Sequence, residues 1–255
     1  LGDARTPGAG LPRPSWARTT VLEEHRAEVI CTAVSLDGTR LVSADALGVV
    51  LVWEVGPRRT FVSSEPVQLG PHDGPVHSCA LSADGSQVVT VGVVGDSVRA
   101  TVAVWDTCTK EGCVPFSTSE RAYTSCAISA DGALVAAGAA DGTLWLWART
   151  ASTTGAAPVS SLRGHSATIT SCALSADGAC LVSASADMTL RVWDLDVTRQ
   201  RETLVLRGHS QGVTCCSVSA DGSTAVSGSA DSTVMVWPLS EFYDDRIEST
   251  CRPVP

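Results

Sequence analysis

A single phrase returns five times along this chain and constrains its fold more than any other feature. Each copy has a strand of small residues, then Ser-x-Asp-Gly, then a second strand, and then a third strand that closes on Trp. The Asp-Gly glycines and the closing tryptophans are Gly38, Gly85, Gly132, Gly178 and Gly222, and Trp53, Trp105, Trp147, Trp193 and Trp237. Most of the intervals lie between 42 and 47 residues, which is a period typical of stacked repeat units. The sequence therefore predicts an all-β array of equivalent sheets that acts first as a display surface.

Apolar runs predict the strands of each repeat. The first strands are expected at Val29–Val34, Val76–Leu81, Tyr123–Ile128, Ile169–Leu174 and Val213–Val218. The third strands are expected at Val49–Trp53, Val102–Trp105, Leu144–Trp147, Leu190–Trp193 and Val234–Trp237. A weaker outer strand is expected at Pro66–Leu69, Val114–Phe116, Val159–Leu162 and Thr203–Leu206. Because the first and third strands are apolar on both faces, each sheet is predicted to lie between two neighbouring sheets.

The charge balance and hydropathy exclude some partners as bulk properties. There are 18 basic and 27 acidic residues, which gives a net charge of −9 and opposes binding to a phosphate backbone. No run of 18 apolar residues is present, so the sequence predicts no membrane span. The first residue is Leu1 and no leader pattern follows it, which favours a processed product or a fragment of a longer protein.

The ten cysteines are predicted to be mostly core thiols. Cys79, Cys126, Cys172 and Cys216 each lie six residues before an Asp-Gly glycine, and a position that recurs in a strand is a packing position for a small apolar side chain. A reducing compartment follows, so we expect a cytoplasmic chain, with the nucleus also allowed. Cys108 and Cys113 flank a turn, where a hairpin disulfide or half of a metal site stays open, although two thiols alone make a poor metal site.

The repeated spelling resembles that of WD-repeat β-propellers over roughly residues 20–237. The matching words are Arg-Gly-His before the first strand, Ser-x-Asp-Gly, Ser-x-Ser-x-Asp-x-Thr after the second strand, and Val-Trp-Asp at the third. The resemblance implies four antiparallel strands per blade around a channel, and protein or peptide partners without a cofactor or a metal. The segment Val213–Ser219 is also similar to WD arrays of apoptosome-type nucleotide-switch regulators.

The same resemblance implies a structural role for the Ser, His and Asp residues that would otherwise suggest catalysis. In the family these residues form a hydrogen-bonded chain inside one blade, from Asp to His to Ser to the Trp indole. Two complete sets are present, His165, Ser183, Asp187 and Trp193, and His209, Ser227, Asp231 and Trp237. An enzyme normally has one such site, so repetition favours structure over catalysis.

The other three repeats depart from this pattern. The first has Leu47 where the Asp is expected, with Asp45 nearby, and the second has His72, Thr90 and Trp105 with an insertion at about 93–100. The third has Ser119 and Ala137 in the His and Ser positions. We therefore expect blades 4 and 5 to be the most rigid and blade 3 to have the fewest internal hydrogen bonds.

Partner binding is predicted on one rim of the array. In this architecture the loops before the first strands and the turns between the second and third strands share a rim, here called the top rim. Its candidate partner-binding residues are Arg26, Glu28, Asp73, Asp96, Arg99, Arg121 and Gln211. The insertion in the second repeat adds to this rim, where insertions in repeat proteins commonly bind partners.

The domain organisation is predicted as an irregular lead-in over 1–18, a propeller over 19–237, and an acidic tail over 238–255. The five repeats cover about 19–54, 66–106, 114–147, 159–194 and 203–237. Because five blades are few for this family, three interpretations stay open: a closed five-bladed ring, an open ring completed by a partner or another copy, and part of a larger propeller. The segment Thr20–Leu22 could close the ring by pairing outside Val234–Trp237.

Three functions are weighed on this basis. The leading hypothesis is a non-enzymatic scaffold that presents its rims to protein or peptide partners. The second is a sensor or autoinhibitory module of a larger nucleotide-switch protein. A propeller enzyme is disfavoured because the first strands carry Ala, Ser, Cys and aliphatic residues rather than converging carboxylates or histidines.

Overall fold

A computed structural model describes residues 21–56, 65–70, 72, 74–93, 100–109, 114–115, 122–149, 158–195 and 201–239. These residues form five antiparallel sheets in chain order, which we number blades 1 to 5. No helix in the described part is long and apolar enough to cross a membrane. The predicted all-β fold is confirmed.

Four blades have four strands, each paired with the next in sequence. Blade 1 contains β1 Val29–Val34, β2 Arg40–Asp45, β3 Val50–Glu54 and β4 Val67–Leu69. Blade 2 contains β5 Val76–Leu81, β6 Gln87–Val93, β7 Ala100–Asp106 and β8 Val114–Pro115. Blade 3 contains β9 Tyr123–Ile128, β10 Leu134–Ala139, β11 Thr143–Ala148 and β12 Ser160–Arg163. Blade 4 contains β13 Ile169–Leu174, β14 Cys180–Ser185, β15 Thr189–Asp194 and β16 Arg201–Arg207.

Blade 5 differs, because only three of its strands lie in the described ranges: β17 Val213–Val218, β18 Thr224–Ser229 and β19 Val234–Pro238. The predicted closing strand does not pair with β19: Val21 and Leu22 lie outside any strand, and Val21 is exposed. Thr20 lies outside the described residues. Within the described part of the chain the five predicted blades are therefore present, four with four strands and the fifth with three.

The Asp-Gly turns all have one geometry, which explains why this dipeptide recurs. At Gly178 the backbone φ is +71°, a left-handed conformation that glycine adopts without steric cost. The carboxylate of Asp177 accepts hydrogen bonds from the Ser175 hydroxyl at 2.6 Å and from the Ala179 N–H at 3.0 Å. The same bonds recur at Asp37, Asp84, Asp131 and Asp221.

These turns also join neighbouring blades through backbone hydrogen bonds. The residue before each Asp donates its N–H to the carbonyl of its equivalent in the next blade, at 2.9 to 3.2 Å. The series runs from Leu36 to Ala83, Ala130, Ala176 and Ala220. It starts in blade 1 and ends in blade 5, so along the described residues the blades form an arc with two ends.

Hydrophobic packing follows the same order. Each blade has one face that bears the His, Ser and Trp positions, which we call the network face, and an opposite face, which we call the plain face. Four core clusters fill the junctions between consecutive blades, each made from the plain face of one blade and the network face of the next. For example, Leu144 and Leu146 of blade 3 pack with Ile169, Leu181 and Trp193 of blade 4. The first and third strands are apolar on both faces because each inner sheet contacts two neighbours.

Candidate functional site

The Ser, His and Asp residues of blade 4 form one buried chain of hydrogen bonds. The Trp193 indole donates to the Ser183 hydroxyl oxygen at 2.9 Å, Ser183 Oγ lies 2.8 Å from His165 Nε2, and His165 Nδ1 lies 2.9 Å from Asp187 Oδ2. A neutral imidazole protonated on Nδ1 uses every hydrogen in this chain, since Ser183 then donates to Nε2 and Nδ1 donates to the carboxylate. Every member of the network is therefore engaged inside the blade.

Blade 5 repeats this geometry. Trp237 donates to Ser227 at 2.9 Å, Ser227 Oγ lies 2.8 Å from His209 Nε2, and His209 Nδ1 lies 3.0 Å from Asp231 Oδ2. In both blades the Asp also accepts from the N–H that follows the His, at 3.0 Å in blade 4 and 2.8 Å in blade 5. The carboxylate thus fixes the loop ahead of the first strand as well as the imidazole.

Blade 1 has a complete network, but its carboxylate is not at the position that the sequence pattern predicts. Asp45, at the end of β2, accepts from His25 Nδ1 at 2.9 Å, so it takes the role expected at position 47. His25 Nε2 lies 2.7 Å from Ser43 Oγ, which accepts the Trp53 indole N–H at 2.8 Å. The other oxygen of Asp45 accepts the N–H groups of Leu47 and Val49 at 3.0 and 2.9 Å. Asp45 stands two residues earlier in the sequence than the expected position 47. It still contacts the imidazole because the turn that follows wraps around its carboxylate.

Blades 2 and 3 vary the pattern. In blade 2 a threonine replaces the serine: Thr90 Oγ1 lies 2.8 Å from His72 Nε2 and accepts from Trp105 at 2.9 Å. In blade 3 Ala137 offers no hydroxyl, and Tyr123 packs edge-on against Trp147 with ring centroids 6.0 Å apart. Ser119 lies outside the described residues. The expected order of rigidity among the blades stays a prediction.

Burial and hydrogen bonding shift the pKa values of this network in a consistent direction. Burial alone would raise the pKa of Asp187, but hydrogen bonds from Thr189, His165 and Ser166 outweigh it and lower the pKa to about 2. Burial lowers the pKa of His165 against the opposing effect of Asp187. The hydrogen bond from Thr233 is the main cause of a lowered pKa at Asp231. The folded state therefore holds an ionised Asp beside a neutral His in blade 4.

These shifts predict that acid destabilises the protein and that Asp187 contributes to the loss. The pKa of an Asp in the unfolded chain is about 3.9. The stabilisation from Asp187 is therefore complete above that pH and is lost as the pH falls toward its folded-state pKa of about 2. The lowered pKa of His165 acts in the same direction below the ordinary histidine value. We expect the melting temperature of Asp187→Asn to fall less steeply between pH 5 and pH 3 than that of the parent chain, as measured by circular dichroism. Parallel curves for the two proteins would contradict this assignment.

The top rim brings together the loops and turns expected there. In four blades the turn after the second strand donates an N–H to a carbonyl of the loop before the first strand, at 2.8 to 3.0 Å. The pairs are Ala46 with Glu28, Ala140 with Ala122, Ala186 with Thr168, and Ala230 with Gly212. Of the partner-binding candidates, Arg26, Glu28 and Gln211 are exposed on this rim. Asp73, Asp96, Arg99 and Arg121 lie outside the described residues.

A cleft of about 560 Å³ opens on blade 1 beside this rim. Its lining mixes the charged Glu24, Arg26 and Glu65 with apolar residues such as Leu51, which lies beside Ser43 on the network face of blade 1. The insertion in the second repeat begins as a longer hairpin, since Gly92 pairs with Thr101 and Val93 with Ala100. Sequence reasoning did not identify the cleft, because its walls come from separate elements.

The thiols have the packing role expected of them where the structure describes them. Cys126, Cys172 and Cys180 are buried, and all eight cysteines in the described ranges are free. Burial raises the pKa of Cys172 to about 11 and that of Cys216 to about 12, so both stay protonated. Cys108 is exposed, with its sulfur 3.7 Å from the Arg40 guanidinium, and Cys113 lies outside the described residues. Among described residues no group of three or more His, Cys, Asp or Glu is placed to hold a metal ion.

Comparison with family models decides the classification. The model for the WD domain, G-beta repeat, matches residues 16–54, 114–148, 156–194 and 200–238. The chain belongs to the WD40 repeat family. A search of curated proteins found no match. In this WD40 chain the second repeat lies outside the matched segments, and it is the repeat with the insertion and with Thr90 in the serine position.

Membership in the WD40 family bears on function at a coarse level. WD40 repeats generally mediate protein–protein interaction and are typically non-enzymatic. The repeated networks agree with this, because Ser43, Ser183 and Ser227 are all buried and each oxygen already accepts an indole N–H.

Proposed function

We propose that this chain is a non-enzymatic scaffold whose top rim binds protein or peptide partners. The observation that carries the proposal is the burial of every described Ser–His–Asp set within a blade, where each set holds two loops to a strand. Groups in this arrangement stabilise the framework and leave the variable rim residues to contact partners. The proposal places the chain in the cytoplasm, supported by the free thiols of the described cysteines.

The charge on the surface favours proteins over nucleic acids as partners. The net charge is −9, and hydrogen bonds from Ser219 and Ser223 lower the pKa of Asp221 to about 2, so this carboxylate stays ionised. Asp177, Asp194 and Asp221 line a second cleft of about 230 Å³ between blades 4 and 5 at the Asp-Gly turns. The acidic rim formed by the Asp-Gly turns would repel phosphate groups. The top-rim cleft, by contrast, contains both basic and acidic side chains.

The proposal predicts that reversing charges on the top rim abolishes partner capture without unfolding the chain. The test variant combines Arg26→Glu, Glu28→Lys and Gln211→Arg, because these side chains are exposed. A matched control combines Ala133→Lys and Ala179→Lys, two exposed positions at the Asp-Gly turns of the opposite rim. Both proteins and the parent are used as bait in cell lysate, and captured proteins are quantified by mass spectrometry.

We expect the top-rim variant to lose most of the proteins that the parent captures and the control to retain them. Circular dichroism melts confirm that both variants are folded. Equal capture by the parent and the top-rim variant would show that these residues do not form the site. Loss with the opposite-rim control alone would move the binding surface to the Asp-Gly turns.

A further inference from the structure

The two ends of the arc expose surfaces that are buried at every inner junction. On the plain face of blade 4, Val182, Leu190 and Val192 are buried against blade 5. The equivalent residues of blade 5, at the same distance from the Asp-Gly turn, are Val226, Val234 and Val236. Their exposed fractions are 38%, 76% and 65%. Blade 5 thus presents an apolar face that no described sheet covers.

Blade 1 exposes the complementary surface. Val34, the last residue of β1, lies on the network face and is 61% exposed, and Leu36, in the turn that follows, is 74% exposed. In blade 3 the residue equivalent to Val34 is Ile128, which is buried against blade 2. The network face of blade 1 is therefore exposed along β1, and at the four inner junctions a network face is covered by the plain face of the preceding blade.

A hydrogen-bond donor in blade 5 is also aligned for a following blade. Each first strand has a bulge near its start, which re-aims one side chain out of the ladder. In blades 3 and 4 the bulged residue is a threonine, and its hydroxyl donates to the first strand of the next blade: Thr124 to the Ile169 carbonyl at 2.5 Å, and Thr170 to the Val213 carbonyl at 2.6 Å. Thr214 holds the same place in blade 5. By the same register its acceptor in a following blade 1 is the Val29 carbonyl.

No described strand pairs with the outer edge of β19 in blade 5, and Pro238 at its end is the one edge-protecting residue in the strand. Monomeric proteins protect such edges with charged residues. The three strands of blade 5, with sequences VTCCSV, TAVSGS and VMVWP, contain no charged residue. Both the open edge of β19 and the plain face beside it are therefore compatible with another strand and another sheet.

Blade 1 has an unused strand segment that matches this edge. In other blades a leucine three residues before the His is buried in the fourth strand of the preceding blade: Leu69, Leu162 and Leu206. Leu22 stands three residues before His25, yet it lies outside any strand and its neighbour Val21 is 71% exposed. His25 is fixed to blade 1 by Ser43 and Asp45, so this segment can pair only with a blade that packs on the network face of blade 1.

We propose that a second copy of this chain occupies these surfaces, with the blade 5 end of one copy docked head to tail on the blade 1 end of the other. Among the described residues, blade 5 has neither a fourth strand nor a network face packed on it, and blade 1 of a second copy carries both. Within one chain, the described parts of blades 1 and 5 are the opposite ends of the arc. The docking goes beyond the proposed rim binding because it uses the ends of the arc. It would also cover the cleft on blade 1, since Leu51 of that cleft lies beside Ser43 on the network face.

The register of the inner junctions identifies a residue pair for cross-linking. At the junction of blades 1 and 2 the Cys31 and Cys79 side chains are hydrogen-bonded. At the next two junctions the equivalent side chains are also in contact: Ser78 Oγ lies 3.4 Å from Cys126 Sγ, and Ser125 Oγ lies 3.5 Å from Cys172 Sγ. Cys215 is the blade 5 equivalent of Cys31, and Thr32 is the blade 1 equivalent of Cys79. Docking of two copies in the same register therefore brings Cys215 of one against Thr32 of the other. Both residues are exposed in the single chain.

The closing experiment oxidises the Thr32→Cys variant of this 255-residue chain with copper phenanthroline and identifies the disulfides by mass spectrometry. We expect dimers and higher species on a non-reducing gel that are joined between position 32 and Cys215. The control is Val159→Cys, which places a thiol at an exposed site far from both ends and measures random collision. An internal disulfide between position 32 and Cys215 in a monomer would overturn the proposal and show a ring closed within one chain. Linkage no greater than in the control would also overturn it.

Sedimentation equilibrium tests the same junction without new thiols. We expect Val234→Lys combined with Val236→Lys to weaken association by about tenfold or more, because docking would bury both charges. Val159→Lys should leave association unchanged. An equimolar mixture of this double variant with Val34→Lys should regain association, since one head-to-tail junction then has two unmodified faces. A monomeric parent chain, or no recovery in the mixture, would contradict head-to-tail docking. A top-rim variant that carries only Glu28→Lys and Gln211→Arg leaves the lining of the cleft unchanged and should associate normally, so failure of one proposal is separable from failure of the other.

Discussion

Replacing Gly48 with alanine is expected to destabilise the chain by about 2 to 5 kcal/mol, which is the sum of a left-handed backbone cost and an overpacking cost. The φ of Gly48 is +88°, and a Cβ there would lie 2.2 Å from the His72 carbonyl oxygen and 2.8 Å from the Gly74 carbonyl oxygen. Both contacts are to backbone of the neighbouring blade, which cannot rotate away as a side chain can. Relief would require blades 1 and 2 to separate at the top rim.

Gly38 is a matched control for this substitution. Its φ is +69°, but a Cβ there would meet no atom within 4 Å. Gly38→Ala should therefore cost only the left-handed strain of about 1 to 2 kcal/mol. Urea denaturation of the two variants measures the difference. Equal losses would show that the approach of blade 2 to Gly48 is looser than the structure has it.

Replacing Ser183 with alanine is expected to destabilise the chain by about 2 to 4 kcal/mol, since each buried polar group left without a partner costs about 1 to 3 kcal/mol. The serine oxygen accepts the Trp193 indole N–H, and its hydroxyl serves His165 Nε2. Alanine serves neither, and no water can reach a side chain that is fully buried. Ser161→Ala, on the exposed side of β12, is the matched control and should change stability by less than about 0.5 kcal/mol.

Blade 3 explains why Ser183→Ala should be costly although nature tolerates alanine at the same place. Ala137 occupies the serine position, but the neighbouring residues are different: Tyr123 packs against Trp147, and both belong to a core cluster with Ala137. Blade 4 has an imidazole at this place, His165, whose Nε2 needs the Ser183 hydroxyl as its hydrogen-bond partner. A loss below about 1 kcal/mol for Ser183→Ala would show that the network contributes less than a single buried hydrogen bond.

Strand positions followed from the sequence because each first strand is fixed by the turn that follows it. All five first strands begin and end at the predicted residues. The Asp-Gly turn and its serine set where each of these strands stops, and both are visible as letters. Third strands extend one or two residues beyond several predictions, because Trp is followed by a residue that still pairs, as Asp194 does with Cys180.

Asp45 was not identified as the network carboxylate because the prediction relied on a fixed spacing. In blades 4 and 5 the carboxylate stands four residues after the serine, whereas Asp45 stands two residues after Ser43. The structural reason for this position is the turn after Asp45, in which the N–H groups of Leu47 and Val49 both donate to one oxygen of its carboxylate. Hydrogen-bonding need, rather than spacing, selects the residue.

The ends of the arc could not be predicted from the strands themselves. Val234 and Val236 have the same apolar pattern as Leu190 and Val192, yet the first pair is exposed and the second is buried. A strand sequence records the face that a neighbour would cover but not whether that neighbour belongs to the same chain. The top-rim cleft was missed for a related reason, since Glu24, Leu51 and Glu65 come from three separate segments.

Thiol labelling tests the central claim, an arc of five packed blades with an open face on blade 5, most directly. The variant carrying Val234→Lys and Val236→Lys, kept monomeric and native, is treated with a maleimide, and each cysteine is assigned by peptide mass spectrometry. We expect rapid labelling of Cys215, which is exposed on the open face, and protection of Cys126 and Cys172, which are buried at inner junctions. Protection of Cys215 in the monomer, or rapid labelling of Cys126 and Cys172, would contradict it.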